Sequence, residues 1–316
     1  MTRDIAATPD ESFPDAAPVT GRVLITGATG FVGGYLREAL SDLPLRLLVR
    51  NPAKYNQLAS DRIELTTGDI TQPETLRGVM DGCEAVVNLV GIIEERGEAS
   101  FEKIIHHGTA NVVAEARKSG ISRLIHMSAL GAAPKPEYGY LNAKWRAEEA
   151  VRASGIPWTI FRPSVIFGPG DGFITVLARL IKRAPVIPVV GDGASKFQPV
   201  SAPEVAAAFA RALADPATAG QIYELGGGAI YTYEEMLDVI AAELGKRKRK
   251  IHLPVKLMMP VVKLSAPLPQ ALRPPVTTEQ LKMLALDNCT GRSATAELIG
   301  HPPTKLEDAI TYVRTA

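Results

Sequence analysis

The sequence has only two cysteines, Cys83 and Cys289, in 316 residues. Two cysteines cannot build the framework of a disulfide-dependent secreted fold, so a reducing compartment such as the cytoplasm is the expected location. A chain of this length also buries enough apolar surface to fold without a disulfide or a metal staple. We expect Cys83, which follows Asp81 and Gly82, to be an inert thiol at the edge of a strand.

Long apolar runs are also missing. No uninterrupted run reaches the roughly 18 residues of a membrane-spanning helix, and the acidic first twenty residues fit neither a signal peptide nor a transit peptide. We expect a disordered tail over residues 1–21 and a soluble protein. The 35 basic and 34 acidic side chains leave a net charge of +1, and aromatics make up 6%, so composition offers no support for nucleic-acid binding.

Short apolar segments alternate with helical patterns through the first half of the chain. The predicted strands are Arg22–Thr26, Leu45–Val49, Ile63–Thr66, Ala85–Leu89, Arg123–Met127 and Trp158–Phe161. The predicted helices are Phe31–Leu40, Glu74–Met80, Glu102–Ser119 and Tyr140–Ser154. Strands that are apolar along their whole length indicate a parallel sheet covered on both faces. This pattern predicts an α/β fold, a doubly wound parallel sheet of the Rossmann type.

The strand and helix rhythm breaks after residue 162, where prolines and glycines cluster. We therefore predict an NAD(P)-binding Rossmann domain over residues 22–162. A smaller C-terminal substrate lobe follows over residues 163–316. Segments within about 196–230 are expected to return to the Rossmann domain, so we expect no clean boundary between the two.

Three glycines stand at spacings of three between the first predicted strand and the first predicted helix: Gly27, Gly30 and Gly33. The first permits a tight exit from the strand, the second lets the backbone approach a pyrophosphate, and the third lets the helix meet the sheet. The free N–H groups at the helix start then face the anion. In this strand–turn–helix context the motif predicts a dinucleotide site.

The residue about 20 positions further on, which is an acid in NAD-binding versions of this motif, is Arg50. Asn51 lies beside it and Lys54 one turn away. A guanidinium suits the 2′-phosphate of NADP through paired, charge-assisted hydrogen bonds. We therefore expect NADP(H) to be the preferred cofactor, with NAD(H) as the alternative if Arg50 is only a solvated arginine after a strand.

Tyr140 and Lys144 are four residues apart, on one face of a predicted helix. The lysine ammonium is expected to lower the pKa of the phenol from about 10, which would suit proton transfer beside a hydride transfer. Ser128, at the end of the fifth predicted strand, is 12 residues before Tyr140. Its hydroxyl is expected to polarise a substrate oxygen, because this architecture places its chemistry at the carboxyl ends of strands.

Together these motifs resemble the short-chain dehydrogenase/reductase superfamily in its extended or atypical branch, over about residues 22–230. The quoted segments are TGATGFVG, a strand-end serine, Y-x-x-x-K, Gly68-Asp69-Ile70, NLVG at 88–91 and FRPSVIFGPGD at 161–171. The resemblance implies that Tyr140 is the acid/base, that Lys144 holds the nicotinamide ribose, and that Ser128 orients the substrate. The nucleotide contacts that it implies, besides the three glycines and Lys144, are Thr29, Phe31, Val32, Arg50, Asn51, Asp69, Ile70, Val90, Gly91, Pro163 and Val165.

The segments TTEQLKMLALDN at 277–288 and PTKLEDAITYV at 303–313 resemble the subgroup that contains the NADPH-binding accessory subunit of respiratory complex I and its bacterial and plastid relatives. This implies a location in the cytoplasm or on the matrix or stroma side of an organelle. One departure is Ile105, which occupies the slot where extended members often carry a relay asparagine. Two functions are compatible with these features. One is an NAD(P)H-dependent oxidoreductase or epimerase/dehydratase-type enzyme that acts on an unknown carbonyl or hydroxyl substrate. The other is a non-catalytic NADPH-binding subunit or assembly factor of a membrane NADH dehydrogenase or quinone-related complex.

Histidine spacing bears on metal binding. His106 and His107 are adjacent, so on an α-helix their side chains point about 100° apart. No histidine has a partner at ligand spacing, and we therefore predict no metal site.

Residues 246–282 carry nine basic side chains against the single acid Glu279, a local charge of 9 − 1 = +8, interleaved with apolar residues. This segment is either a lid over the substrate lobe, with Pro260 interrupting any long helix, or a peripheral contact with an anionic membrane or a membrane complex.

Overall fold

The computed structural model describes residues 12–265 and 276–315. Its strands are β1 (Val23–Thr26), β2 (Leu45–Val49), β3 (Ile63–Thr67), β4 (Ala85–Asn88), β5 (Arg123–Met127), β6 (Trp158–Pro163), β7 (Ile166–Phe167), β8 (Ile187–Val190), β9 (Lys196–Phe197), β10 (Val200–Ser201), β11 (Gln221–Leu225), β12 (Tyr231–Thr232) and β13 (Lys250–Leu253). Its α-helices are α1 (Phe31–Ala39), α2 (Gly108–Lys118), α3 (Gly139–Arg152), α4 (Ile174–Arg183), α5 (Ala202–Ala214), α6 (Tyr233–Glu243), α7 (Val255–Ser265), α8 (Thr278–Leu284), α9 (Thr295–Ile299) and α10 (Leu306–Ala309).

The central sheet has seven parallel strands in the order β11-β6-β5-β4-β1-β2-β3. The chain runs outward from β1 to β3 and then returns to β4 on the other side of β1. This reversal opens a crevice between the carboxyl ends of β1 and β4, the place where open α/β sheets bind ligands. The predicted doubly wound fold is confirmed, and all six predicted strands are present with ends shifted by at most two residues.

Each face of the sheet is covered by helices, and the alternation of side chains along β1 shows how. Val23 and Ile25 pack into the core that contains residues of α1 and α5, whereas Leu24 packs on the other face with residues of α2 and α3. All three side chains are fully buried. Burial on both faces is the physical reason why these strands read as continuous apolar runs.

The C-terminal part of the chain contributes to two places. From the segment expected to return to the first domain, β11 pairs with β6 at the sheet edge and α5 packs on α1. A second core is built from α4, α6, β8 and the last turns of the chain. Three small sheets support it, pairing β7 with β10, β8 with β13, and β9 with β12.

Several local expectations require correction. The predicted helix Glu74–Met80 is a single 3-10 turn, Pro73–Leu76, because Gly78 takes a left-handed conformation at φ +73°. The predicted tail is ordered over residues 12–21, where Phe13 meets Trp158 edge-on and Val19 is buried; residues 1–11 lie outside the described residues. Pro260 does not interrupt its helix, since α7 continues through it.

The long predicted helix Glu102–Ser119 also differs from expectation. It begins as a π-helical segment, Glu102–His107, and continues as α2 from Gly108. The π-helical turn is wider than an α-helical turn, so it changes which neighbouring side chains share a face. Ile105 of this segment is fully buried.

Candidate active site

The glycine turn lies at the mouth of the crevice between β1 and β4. Gly27 has φ +71°, and a β-carbon there would lie 3.1 Å from the backbone nitrogen of Val90. At Gly33 a β-carbon would lie 2.5 Å from the carbonyl oxygen of Gly27, well inside van der Waals contact. Glycine is therefore required at both positions, at the first for conformation and at the third for close packing of α1.

The start of α1 suits an anion. Its N-cap residue is Gly30, which has no side chain to cap the helix, and its first turn contains no acid. The first N–H groups of a helix have no partner within the helix, and its dipole favours negative charge there. Thr29 at this end is exposed, Phe31 half-buried and Val32 buried. These residues fit the pyrophosphate of a dinucleotide.

A buried polar network fastens the carboxyl ends of three strands beside this turn. The hydroxyl of Thr26 donates to Oδ1 of Asn88 at 2.6 Å, and Nδ2 of Asn88 donates to the hydroxyl of Thr109 at 3.0 Å. The same Nδ2 lies 3.1 Å from Nδ1 of His126. Burial, with a contribution from the nearby Lys144, lowers the pKa of His126 to about 3, so the ring is neutral. No local sequence pattern predicts the hydrogen bonds of this network, because its residues are far apart in the chain.

The residues expected around the adenosine half lie on two neighbouring strand ends. The Asp69 carboxylate accepts from the backbone and hydroxyl of Thr71, and Asn111 donates to the carbonyl of Ile70 at 2.8 Å. This turn is thus held in place from two sides. Arg50, Asn51 and Lys54 are exposed beyond the end of β2, where a 2′-phosphate could approach them from solvent.

Tyr140 and Lys144 lie on one face of α3, as expected. The ammonium of Lys144 is 6.0 Å from the centre of the Tyr140 ring and donates to the carbonyl of Met127 at 2.8 Å. A β-carbon on Gly91 would lie 3.3 Å from the same ammonium. Tyr140 is half-buried and meets Phe101 edge-on. Lysine and tyrosine therefore stand at the carboxyl ends of β4 and β5, next to the crevice.

The expected pKa shift of the tyrosine is wrong in direction. Burial raises the pKa of Tyr140 to about 12 and lowers the pKa of Lys144 to about 8, the latter partly offset by the carboxylate of Glu148. Burial disfavours the charged form of each group, and it is the cause of the raised pKa of Tyr140. Tyr140 is thus a protonated phenol at neutral pH.

The hydroxyl of Ser128 is bound to another side chain of the protein. Its buried hydroxyl donates to the carboxylate of Glu148, which also pairs with Arg162 through Nε at 2.9 Å. The carboxylate is completely buried, and the guanidinium is about one-fifth exposed. The expectation that this hydroxyl polarises a substrate oxygen is not met in this geometry, because its single proton is used within the protein. Glu148 is four residues after Lys144, and this spacing predicts that its carboxylate lies on the same face of α3 as the lysine.

Two residues near the end of the chain hold the site from outside the Rossmann domain. Oδ1 of Asn288 accepts from the hydroxyl of Ser164 at 2.6 Å and from the backbone of Val165 at 2.9 Å, which fixes the segment expected on the nicotinamide side, after Pro163. A carboxylate oxygen of Glu279 accepts from the backbone N–H of Tyr140 at 3.1 Å. Both contacts join residues more than 120 positions apart, so local patterns could not predict them.

The two adjacent histidines lie closer than expected. In the π-helical segment both rings approach one oxygen of Glu102, at 2.8 Å from His106 and 3.2 Å from His107. The expectation of an angle of about 100° between the two side chains is wrong, because this segment is π-helical and not α-helical. The guanidinium of Arg146 binds the same carboxylate oxygen. Ligand atoms of Glu102, His106 and His107 lie within 4.8 Å of one another, and a metal ion there would compete with the Arg146 cation for Glu102. The absence of a metal site stays our prediction.

An uncapped helix after a glycine turn, at the switch point of a parallel sheet, defines a dinucleotide-binding Rossmann protein. A sequence profile described as NAD(P)H-binding matches residues 27–216. The chain belongs to this NAD(P)H-binding family. No helix among the described residues has the length and apolar character needed to cross a membrane.

Comparison with known proteins agrees with this assignment. The chain is 32% identical over 242 residues to a mitochondrial NADH dehydrogenase [ubiquinone] 1 alpha subcomplex subunit 9 of Arabidopsis thaliana, covering 73% of this chain but 60% of that subunit. It is 32% identical over 243 residues to a ceramide reductase of Caulobacter vibrioides, covering 76% of this chain and 75% of the relative. A crystal structure of an NADPH-dependent quinone oxidoreductase with NADPH, from Escherichia coli, matches with a TM-score of 0.73, 25% identity, and coverage of 92% and 99%. The predicted resemblance to the complex I subgroup is thereby confirmed.

Proposed function

We propose that this protein is an NADP(H)-dependent reductase in which Tyr140 donates a proton to a carbonyl or quinone oxygen. The observation that carries the proposal is the placement of a half-buried, protonated phenol and a buried lysine beside the glycine turn at the carboxyl ends of the central strands. When bound, the nicotinamide would supply the hydride. A phenol that stays protonated at neutral pH favours the reducing direction, in which the substrate oxygen gains a proton.

The roles of the surrounding residues follow from their contacts. Lys144 is anchored on Met127 and would hold the nicotinamide ribose next to Gly91. Its charge would also stabilise negative charge that develops on the phenol oxygen after proton release. Ser128 has a structural role in this proposal, since it satisfies a buried carboxylate. In this proposal, residues of the C-terminal lobe would orient the substrate.

Preference for NADP(H) over NAD(H) is supported by Arg50. The side chain is exposed at the end of β2, where the ribose acid of NAD-binding proteins would otherwise stand. Asn51 and Lys54, also exposed, would add a hydrogen bond and a second positive charge for the 2′-phosphate.

The proposed substrate class is a carbonyl compound or quinone. Relatives whose names include ceramide reductase, quinone oxidoreductase and NAD(P)H azoreductase support a reductive reaction. An epimerase/dehydratase-type reaction is the alternative chemistry for the same tyrosine and lysine.

A second candidate function is a non-catalytic NADPH-binding subunit or assembly factor of a membrane NADH dehydrogenase or quinone-related complex. Three observations favour it: Ser128 is committed to Glu148, the relay slot holds the buried Ile105, and the relatives include complex I subunits. A peripheral contact with a membrane or a membrane complex through residues 246–282, on the cytoplasmic, matrix or stroma side, belongs to both candidates.

The test is purification with bound nucleotide, identification of that nucleotide, and an NADPH oxidation assay with quinones, aldehydes and nucleotide sugars. The reductase proposal expects bound NADP(H) and turnover with a carbonyl or quinone acceptor that Tyr140→Phe abolishes. Bound NADP(H) without turnover on any acceptor, together with full cellular function of Tyr140→Phe, would support the subunit instead.

A further inference from the structure

The outward face of α7 is apolar. Leu257, Val261 and Leu264 are 68%, 59% and 78% exposed, and their spacing of four and three places them on one side of the helix. On another side of α7, Val262 and Ser265 are buried, and the helix packs against α8. Single exposed apolar residues are common on protein surfaces, but a stripe of three large ones along one helix marks a contact surface.

A row of positive charge runs alongside this stripe. Lys256 and Lys263 each precede one of the leucines, so they lie about 100° around the helix from it and above one another. Both are exposed, and the ion pairs of the described residues include neither of them. The stripe and the row together give the pattern of a helix that lies in a lipid–water interface.

Some basic side chains of residues 246–282 are already bound within the protein. Lys248 is used inside the protein, donating to the carbonyl of Ile181 at 2.6 Å near the end of α4. Lys250 is paired with Glu234 and Asp238, and Arg273 lies outside the described residues. Lys246, Arg247 and Arg249 are exposed before β13, and the charges that share a helix with the apolar stripe are those of Lys256 and Lys263.

We propose that α7 is an interfacial anchor that docks this protein on a bilayer rich in anionic phospholipids. The three apolar side chains would insert among the upper acyl chains, and the two lysines would lie at the level of the lipid phosphates. An anionic bilayer matches both features at once, because it offers apolar depth beside negative charge. A neutral protein groove would match the stripe alone.

Docking in this orientation would bring the active site close to the lipid. In the neighbouring helix α8, Glu279 accepts from the N–H of Tyr140 in the first turn of α3 at 3.1 Å. Lys282 of α8 donates to the carbonyl of Glu137, just before α3, at 3.0 Å. The substrate class that follows is a lipid-soluble carbonyl or quinone taken from the bilayer. This last step rests on the proposed reductase function, whereas docking itself does not.

Docking is tested by co-sedimentation of the full chain with vesicles of phosphatidylcholine, with and without phosphatidylglycerol. We expect binding to the anionic vesicles at low salt, weakening as salt is added, and little binding to the neutral ones. Lys256→Gln combined with Lys263→Gln should weaken binding by about tenfold or more, since each lysine near the surface contributes on the order of a fivefold change. Leu257→Gln combined with Leu264→Gln should reduce it at least as much.

Two matched controls separate docking from general charge and stickiness. Arg117→Gln with Lys118→Gln removes the same charge from the exposed end of α2, and Ile230→Gln removes an exposed apolar residue elsewhere. Both should bind like the wild type. Absence of wild-type binding at low salt, or equal binding by the α7 variants and the controls, overturns the proposal. Loss of a dimer in the α7 variants, without vesicle binding of the wild type, would assign the face to a second copy and also overturn it.

The substrate consequence has its own readout. With a water-soluble quinone the α7 variants should turn over NADPH at the wild-type rate, whereas with a long-chain quinone embedded in anionic vesicles they should lose most of their rate. Equal rates on the embedded quinone would refute this consequence. If no acceptor is reduced, the reductase proposal fails while co-sedimentation still decides docking.

Discussion

Gly33 and Gly34 offer a paired test of the nucleotide site. A β-carbon at Gly33 would lie 2.5 Å from the carbonyl oxygen of Gly27 and 2.7 Å from Cα of Ala28, whereas at Gly34 it would meet nothing within 4 Å. Gly33→Ala therefore has to push α1 away from the turn by roughly 1 Å, at a cost of about 1–3 kcal/mol for overpacking a rigid backbone contact. The same shift moves the N–H groups proposed to bind the pyrophosphate.

We expect Gly33→Ala to lower the free energy of unfolding by that amount and to weaken NADPH binding by about 10- to 100-fold, as 1.4 kcal/mol corresponds to about tenfold. Gly34→Ala should instead stabilise the helix by about 0.5–1 kcal/mol and leave NADPH affinity nearly unchanged. Urea unfolding and calorimetric titration with NADPH measure both quantities. If Gly33→Ala bound NADPH as tightly as Gly34→Ala, the turn would not be the pyrophosphate site.

Three other substitutions test the electrostatics of the site. Burial lowers the pKa of Lys144 from 10.5 to about 8, so between these pH values the unfolded chain binds one proton more than the folded chain. The free energy of unfolding should therefore rise with pH across this window, by about 3 kcal/mol at most. In Lys144→Met this rise should be absent, and identical pH profiles of unfolding for the variant and the wild type would contradict the prediction. Glu148→Gln leaves the guanidinium of Arg162 without its buried partner and should cost about 3–5 kcal/mol in urea unfolding, so a loss below about 1 kcal/mol would count against the buried pair. Arg50→Ala should weaken NADPH binding by about tenfold or more while sparing NADH, and an equal loss for both cofactors would remove the basis for NADP preference.

Features that depend on short stretches of chain were predictable. The glycine turn occupies seven residues between a strand and a helix, and each glycine has a steric reason that is local. The parallel sheet followed from strands that are apolar on both sides, as Leu24 between Val23 and Ile25 illustrates. The spacing of Tyr140 and Lys144 likewise predicted a shared helix face.

Features that depend on tertiary contact were missed. Ser128 and Glu148 are 20 residues apart, and only the packing of α3 on the sheet brings the hydroxyl to the carboxylate. The sign of the Tyr140 pKa shift depends on how far the ring is buried, which spacing does not reveal. Asn288 reaches Val165 from 123 residues away. A helical pattern also cannot distinguish the π-helical turn at residues 102–107 from an α-helix.

The most direct test of the account compares Tyr140→Phe with Ser128→Ala in an NADPH oxidation assay, using the acceptor that the wild type reduces fastest. Loss of the proton donor should lower kcat by about 100- to 10,000-fold. Loss of the Ser128 hydroxyl should lower stability by about 1 kcal/mol and leave kcat close to that of the wild type, because this hydroxyl serves Glu148. A severe loss in Ser128→Ala with an active Tyr140→Phe would contradict the assignment of both residues.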